Sequence, residues 1–113
     1  MFDKIGKWMG NEEEDRVKIN KPYLQVFDQC KHALEKNECE IASEDKDAGI
    51  IKAEHGVSVD SWGENITVEV EKLEENYTLV KLTSKSKVPV TLVDWGKNEQ
   101  NIKSIMETLQ EME

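Results

Sequence analysis

From Tyr23 to Leu34 the apolar residues recur at helical spacing. Tyr23, Phe27, Cys30 and Leu34 are separated by four, three and four positions, and Val26 and Ala33 widen the stripe. Pro22 suits a first turn, where a missing N–H costs nothing, Asn20 stands where it can cap the helix, and Asn37 is a stop signal. The pattern predicts a helix over residues 22–36. The period then changes to two. Cys39, Ile41 and Ser43 alternate with Glu40, Ala42 and Glu44, and Asp45-Lys46-Asp47-Ala48-Gly49 has the side chains of a tight turn. Ile50 to His55 reads as the return strand, with Ile51, Ala53 and His55 on one side; Gly56 breaks it, and Val57 and Val59 finish it or begin another. After a second turn at Trp62-Gly63-Glu64-Asn65, the alternation of Ile66, Val68 and Val70 with Thr67, Glu69 and Glu71 marks a third strand. Glu74-Glu75-Asn76 turns the chain into a fourth, in which Val80 and Leu82 alternate with Leu79, Lys81 and Thr83. Pro89 ends that strand, Val90 to Val93 has the length of a short edge strand, and Asp94-Trp95-Gly96 is a hinge. Ile102, Ile105, Met106 and Leu109 define a last helix from about Asn98 to Met112.

Two helices with one apolar stripe each need a common apolar surface, and a one-sided sheet supplies it. The expected architecture is therefore α+β: a two-layer sandwich of an antiparallel four- or five-stranded sheet with both helices on one face, in the order α-β-β-β-β-α. The other face, carrying Thr67, Glu69, Glu71, Lys81 and Thr83, meets water or a partner.

Residues 1–21 read differently, as a flexible N-terminal segment before a single domain over 22–113. Phe2, Ile5, Trp8 and Met9 make a short amphipathic turn-and-a-half, with Asp3, Lys4 and Lys7 opposite; Gly10-Asn11 and the acidic run Glu12-Glu13-Glu14-Asp15 follow. Acids and bases balance in this segment, so the net charge of −9 resides in residues 22–113. A chain this acidic is excluded as a generic phosphate-backbone binder, which needs a positive surface to release counterions, so no nucleic-acid partner is expected. No stretch approaches the roughly 20 apolar residues needed to span a bilayer, and the first residues lack the apolar core and cleavage site of a secretory signal. Two cysteines, Cys30 and Cys39, are too few for a disulfide framework and read as reduced thiols. The expected compartment is the cytoplasm.

Three segments carry a resemblance: Glu44-Asp45-Lys46-Asp47-Ala48-Gly49-Ile50-Ile51-Lys52-Ala53, then Ile66-Thr67-Val68-Glu69-Val70, then Asp94-Trp95-Gly96-Lys97-Asn98. They resemble small uncharacterised prokaryotic domains built as a helix, four strands and a helix, often behind a lipoprotein or membrane signal. The resemblance covers about residues 22–110 and implies the fold alone, because that family brings no established activity or site residue. This chain departs from it by starting with the amphipathic segment instead of a lipoprotein signal.

Reactive constellations are sparse. His32 and His55 are the two histidines, and neither a C-x-x-C nor an H-x-x-x-H spacing joins them to the cysteines, so no metal site is expected. There is no nucleophile elbow, the glycines are scattered rather than gathered into a phosphate loop, and no cofactor is implied. Glu69 and Glu71 share a strand face at two-residue spacing, as a solvated face does. Asp45 and Asp47 lack the twelve-residue frame of a calcium loop. Trp62, on a loop, offers a large amphipathic anchor, whereas Trp95 closes the core end. The expectation is a non-enzymatic interaction or accessory module that contacts a protein partner or a second copy of itself. Phe2, Ile5, Trp8, Trp62, Glu69 and Lys81 are its candidate contact residues. Two alternatives stand beside it. One is a membrane-peripheral protein held to a lipid surface by residues 1–10. The other is a small-molecule-binding or enzymatic domain using a concave site with His55, Cys39 or the carboxylates.

Overall fold

The computed structural model describes residues 12–56, 63–87 and 97–112. The order is β1 (Glu12–Ile19), α1 (Tyr23–Lys36), β2 (Cys39–Asp45), β3 (Ile50–His55), β4 (Glu64–Glu74), β5 (Tyr77–Ser86) and α2 (Lys97–Glu111). The five strands form one antiparallel sheet in the order β1-β5-β4-β3-β2. Both helices pack on the sheet and against each other, which is the expected two-layer α+β arrangement.

The alternation read from the sequence sets the faces. Ile51 and Ala53 of β3, Ile66, Val68 and Val70 of β4, and Val80 and Leu82 of β5 are buried; Phe27, Cys30 and Leu34 of α1 and Ile102, Ile105 and Leu109 of α2 cover them. On the opposite face Glu69 stands across from Lys81 and Thr67 from Thr83. A register shift between Ile41 and Ser43 returns Glu44 of β2 to the helix side, where it meets Lys31 of α1 at 3.1 Å.

Residues 12–19 correct the expectation of a flexible segment running to residue 21. They form β1, an edge strand paired along its whole length with β5 from Glu12 opposite Lys85 to Ile19 opposite Thr78. The acidic run is a strand because β5 supplies a complete ladder and Ile19 reaches the core, where it is fully buried. Phe2, Ile5 and Trp8 lie outside the described residues, as do Trp62, Trp95, Val57, Val59 and the stretch Val90 to Val93.

The connections follow local chemistry. α1 begins after Pro22, whose backbone is extended (ψ 153°), and no side chain caps it; Asn20 does not take that role. At the other end Asn37 does stop the helix, its amide donating to Ala33 O, and Glu38 follows in the left-handed region (φ 62°). In the β2–β3 turn Asp45 Oδ1 accepts from the amides of Asp47 and Ala48, and Gly49 adopts φ 75° against the backbone of Val70.

Candidate functional site

The inward side of the sheet is apolar along most of its length and turns polar at one end. The register lays Cys39 opposite His55, His55 opposite Glu64 and Glu64 opposite Ser86, so one row across four strands carries a thiol, an imidazole, a carboxylate and a hydroxyl. The next row inward holds Ile41, Ala53, Ile66 and Ser84. The first turns of α2 cover this end with Asn98 and Asn101, which continue the stripe of Ile102 and Ile105 by polar residues.

These groups form a connected network. Asn101 Nδ2 donates to Glu64 Oε1 at 2.9 Å and to Ser84 Oγ at 3.2 Å. Ser84 Oγ donates to Asn98 Oδ1 at 2.7 Å, and Asn98 Nδ2 donates to Ser86 Oγ at 3.1 Å. The carboxylate fixes which way the Asn101 amide points, because the flipped amide would set oxygen against oxygen. Glu64 is 2% exposed, so its charge sits almost wholly out of water and depends on such donors. His55 Nδ1 lies 3.1 Å from the same Oε1. A carboxylate can only accept, so the contact selects the imidazole tautomer with its proton on Nδ1 and leaves the lone pair on Nε2. Among the described residues no hydrogen bond engages Nε2.

Beside the network is a hollow of about 110 Å³, lined by His55 and Cys39 from the sheet, Asn37 after α1, and Lys97, Asn101, Ser104 and Ile105 of α2, among others. The side chain of His55 is 29% exposed and forms the link between this hollow and buried Glu64. Cys39 is no nucleophile at neutral pH. Burial first, then the negative charges of Glu64 and Glu38, push its thiol up to about 11. Cys30, under α1, is pushed to about 12 by burial, and both cysteines are free. On the far flank of α2 a second hollow of about 290 Å³ has Ile102 and Met106 beside Glu13 and Asp15 of β1. Among the described residues no three His, Cys, Asp or Glu side chains converge as metal ligands, and His32 is exposed on α1.

The residues expected to make contacts are elsewhere. Glu69 is exposed and Lys81 half-buried on the helix-free face, where Lys81 Nζ lies 3.9 Å from Glu14 Oε2. The network residues Glu64, Ser84, Asn98 and Asn101 were not singled out by sequence reasoning. Their signal was present: each continues an apolar row by one step at the same end of the sheet, but only the strand register shows that the steps meet.

No protein-family profile matches the chain, and no curated protein is similar to it in sequence. Solved structures are similar in fold. The di-domain aromatase/cyclase BexL of the BE-7585A biosynthetic pathway superposes with a TM-score of 0.68 at 13% identity, over 88% of this chain and 45% of that one. This chain thus spans less than half of that two-domain protein. The Zhui aromatase/cyclase from Streptomyces sp. R1128 gives 0.60 at 12% identity, covering 88% of this chain and 92% of that one. A START superfamily protein from Mycobacterium smegmatis gives 0.58 at 9% identity, covering 92% and 100%. The chain has a START-like fold. At these identities the likeness is one of architecture.

This overturns three expectations. The non-enzymatic interaction or accessory module, the absence of enzymatic function and the protein partner or self-association all rested on finding no reactive cluster in the sequence. The similar folds are instead named as aromatase/cyclases and a START protein. The strand register also brings together a histidine, a buried carboxylate and a hollow that are far apart in sequence. No helix among the described residues is long and apolar enough to cross a membrane.

Proposed function

We propose that this domain binds a small organic molecule between the sheet and α2, with the ligand's polar group in the hollow beside His55 and Asn101. The observation that carries this reading is the buried polar network at one end of the inner face. Placing Glu64, Asn98, Asn101 and Ser84 in the core costs stability that apolar side chains of similar size would not, and such departures from consistent packing are expected where a site is held. The network fixes the first turns of α2 over the sheet, so the donors and acceptors around the hollow are oriented before a ligand arrives. A hollow of about 110 Å³ takes a carbonyl, hydroxyl or similar group rather than a whole drug-sized molecule, so the rest of the ligand extends along the α2 margin. The fold shared with proteins named as aromatase/cyclases also supports the reading.

A fragment library screened by ¹⁵N-resolved NMR on the full chain tests it. Binders are expected to shift the amides of His55, Asn101 and Ser104 together, and a ligand at a hundred times its Kd raises stability by about 2.7 kcal/mol. Binders that perturb only the helix-free face, around Glu69 and Lys81, would overturn the reading.

A further inference from the structure

We propose that the hollow recognises a primary ammonium group, so that the ligand class is an organic amine; this rests on the ligand-binding reading above. The hydrogen-bond inventory of the lining carries the assignment. Asn101 commits both Nδ2 hydrogens inside the fold, one to Glu64 Oε1 at 2.9 Å and one to Ser84 Oγ at 3.2 Å. Asn37 commits both of its own, to Ala33 O at 2.8 Å and to Thr108 Oγ1 at 3.0 Å. The Thr108 hydroxyl donates to Ser104 O, so towards Asn37 it accepts, and the Asn37 amide has one orientation. The neutral His55 ring donates through Nδ1 to Glu64. Three side chains that line the hollow have therefore committed their donors, and each has an acceptor left: Asn37 Oδ1, His55 Nε2 and Asn101 Oδ1. Among the described residues none of these three atoms has a hydrogen bond. None is sealed from solvent either, because the buried side-chain oxygen or nitrogen without a partner among the described residues is Gln29 Oε1.

Size alone admits a carbonyl or a hydroxyl, but the three acceptors discriminate. A carbonyl or carboxylate sets its lone pairs against theirs, and a hydroxyl brings one hydrogen to three acceptors. A primary ammonium brings three hydrogens on one atom and is small enough for about 110 Å³. Its charge finds support close by. The buried Glu64 carboxylate stands behind His55, and the negative charges of Glu64 and Glu38 already act on the Cys39 thiol in the same lining. Lys97, also in the lining, opposes the ligand's charge, so its removal has a readable sign. Ser104 and Gln100 each carry a donor and an acceptor and decide nothing, whereas Ile105 offers apolar contact to the first carbons of the ligand.

A ¹⁵N-resolved NMR titration of the full chain at neutral pH with four probes of one body tests this: 2-phenylethylamine, its N,N,N-trimethyl derivative, 2-phenylethanol and phenylacetate. The amine is expected to shift the amides of His55, Asn101 and Ser104 and to bind at least about tenfold more tightly than the alcohol, since hydrogen bonds from an ionised donor are roughly twice as strong as neutral ones. The trimethylated probe keeps the charge, loses every N–H and binds at least about tenfold more weakly than the amine. His55→Phe weakens the amine by a similar factor. Lys97→Gln tightens it about two- to fivefold, the effect of one solvent-exposed charge, and decides the matter if His55→Phe does not fold. An amine that binds no more tightly than the alcohol or phenylacetate, equal binding of the trimethylated probe, or weaker binding of the amine to Lys97→Gln overturns the ammonium site and leaves the ligand-binding reading intact. Absence of shifts at these amides with every probe at millimolar concentration counts against both.

Discussion

Replacing Asn101 by leucine isolates the contribution of the polar network. Leucine fills a similar volume and is the better helix former, so the change removes hydrogen bonds without opening a large cavity or weakening α2. Two bonds are lost, the one to the Glu64 carboxylate at 2.9 Å and the one to Ser84 Oγ at 3.2 Å. Hydrogen bonds to charged groups are worth about 1.5–3 kcal/mol and neutral ones about 1 kcal/mol. The helix propensity of leucine returns a few tenths of a kcal/mol, leaving a net loss of about 2–3.5 kcal/mol. At roughly 2.1 cal/mol/K of unfolding entropy per residue, a 113-residue chain then melts about 8–15 °C lower. Urea unfolding followed by far-UV circular dichroism measures the change, with an unaltered m-value as the control for two-state behaviour. The same substitution in a Glu64→Leu background separates cause from coincidence. There the carboxylate that needs the donor is gone, so Asn101→Leu costs less than about 1 kcal/mol and the coupling energy is about 1.5–3 kcal/mol. Equal costs in the two backgrounds, or a single variant within about 0.5 kcal/mol of wild type, would refute the claim that Asn101 holds Glu64.

Three further outcomes are expected. Ile19→Ala, at a fully buried side chain of β1, destabilises the domain by about 2–4 kcal/mol in the same urea assay, whereas a segment outside the fold would tolerate it at no cost. Gly49→Ala lowers stability by at least about 2 kcal/mol, because its φ of 75° is strained for alanine and the added Cβ would meet Val70 O; a neutral result would contradict the turn geometry. Cys30 is protonated in the folded state up to about pH 12, while its ordinary value is 9.0, so its contribution to stability is complete below pH 9 and is lost as the pH rises from there toward 12. Over that window the stability of Cys30→Ala should fall less steeply than wild type, by up to about 1.4 kcal/mol per pH unit, and parallel curves would show that the thiol is not held neutral.

The elements that pack on both sides of an apolar row were readable from the sequence. Ile66, Val68 and Val70 keep period two and Ile102, Ile105, Met106 and Leu109 keep the helical period, and the strands and helix stand where those periods place them. β1 was not readable in the same way. Its outward residues are charged, and Glu13 and Asp15 point to the helix side at the sheet margin beside α2, so only Val17 and Ile19 signal a strand. The polar site was hidden for a different reason. His55 was already a candidate for a concave site, but Glu64, Ser84 and Asn101 are each unremarkable near the end of an element, and their meeting with His55 depends on register, a property of pairs of strands rather than of any one stretch of chain.

The position of β1 fixes when the domain can be completed during synthesis. The first described strand leaves the ribosome before all the others, yet its ladder partner β5 is the last strand to be made. Until Tyr77–Ser86 has emerged, the nascent Glu12–Ile19 has nothing to pair with, and the growing sheet of β2, β3 and β4 has an open margin where β5 belongs. The charges of the acidic run then act as a solubilising guard on a waiting segment, repelling other copies while the chain is unfinished. A gene fusion that crowds the beginning of this chain is therefore expected to delay maturation more than one attached after α2.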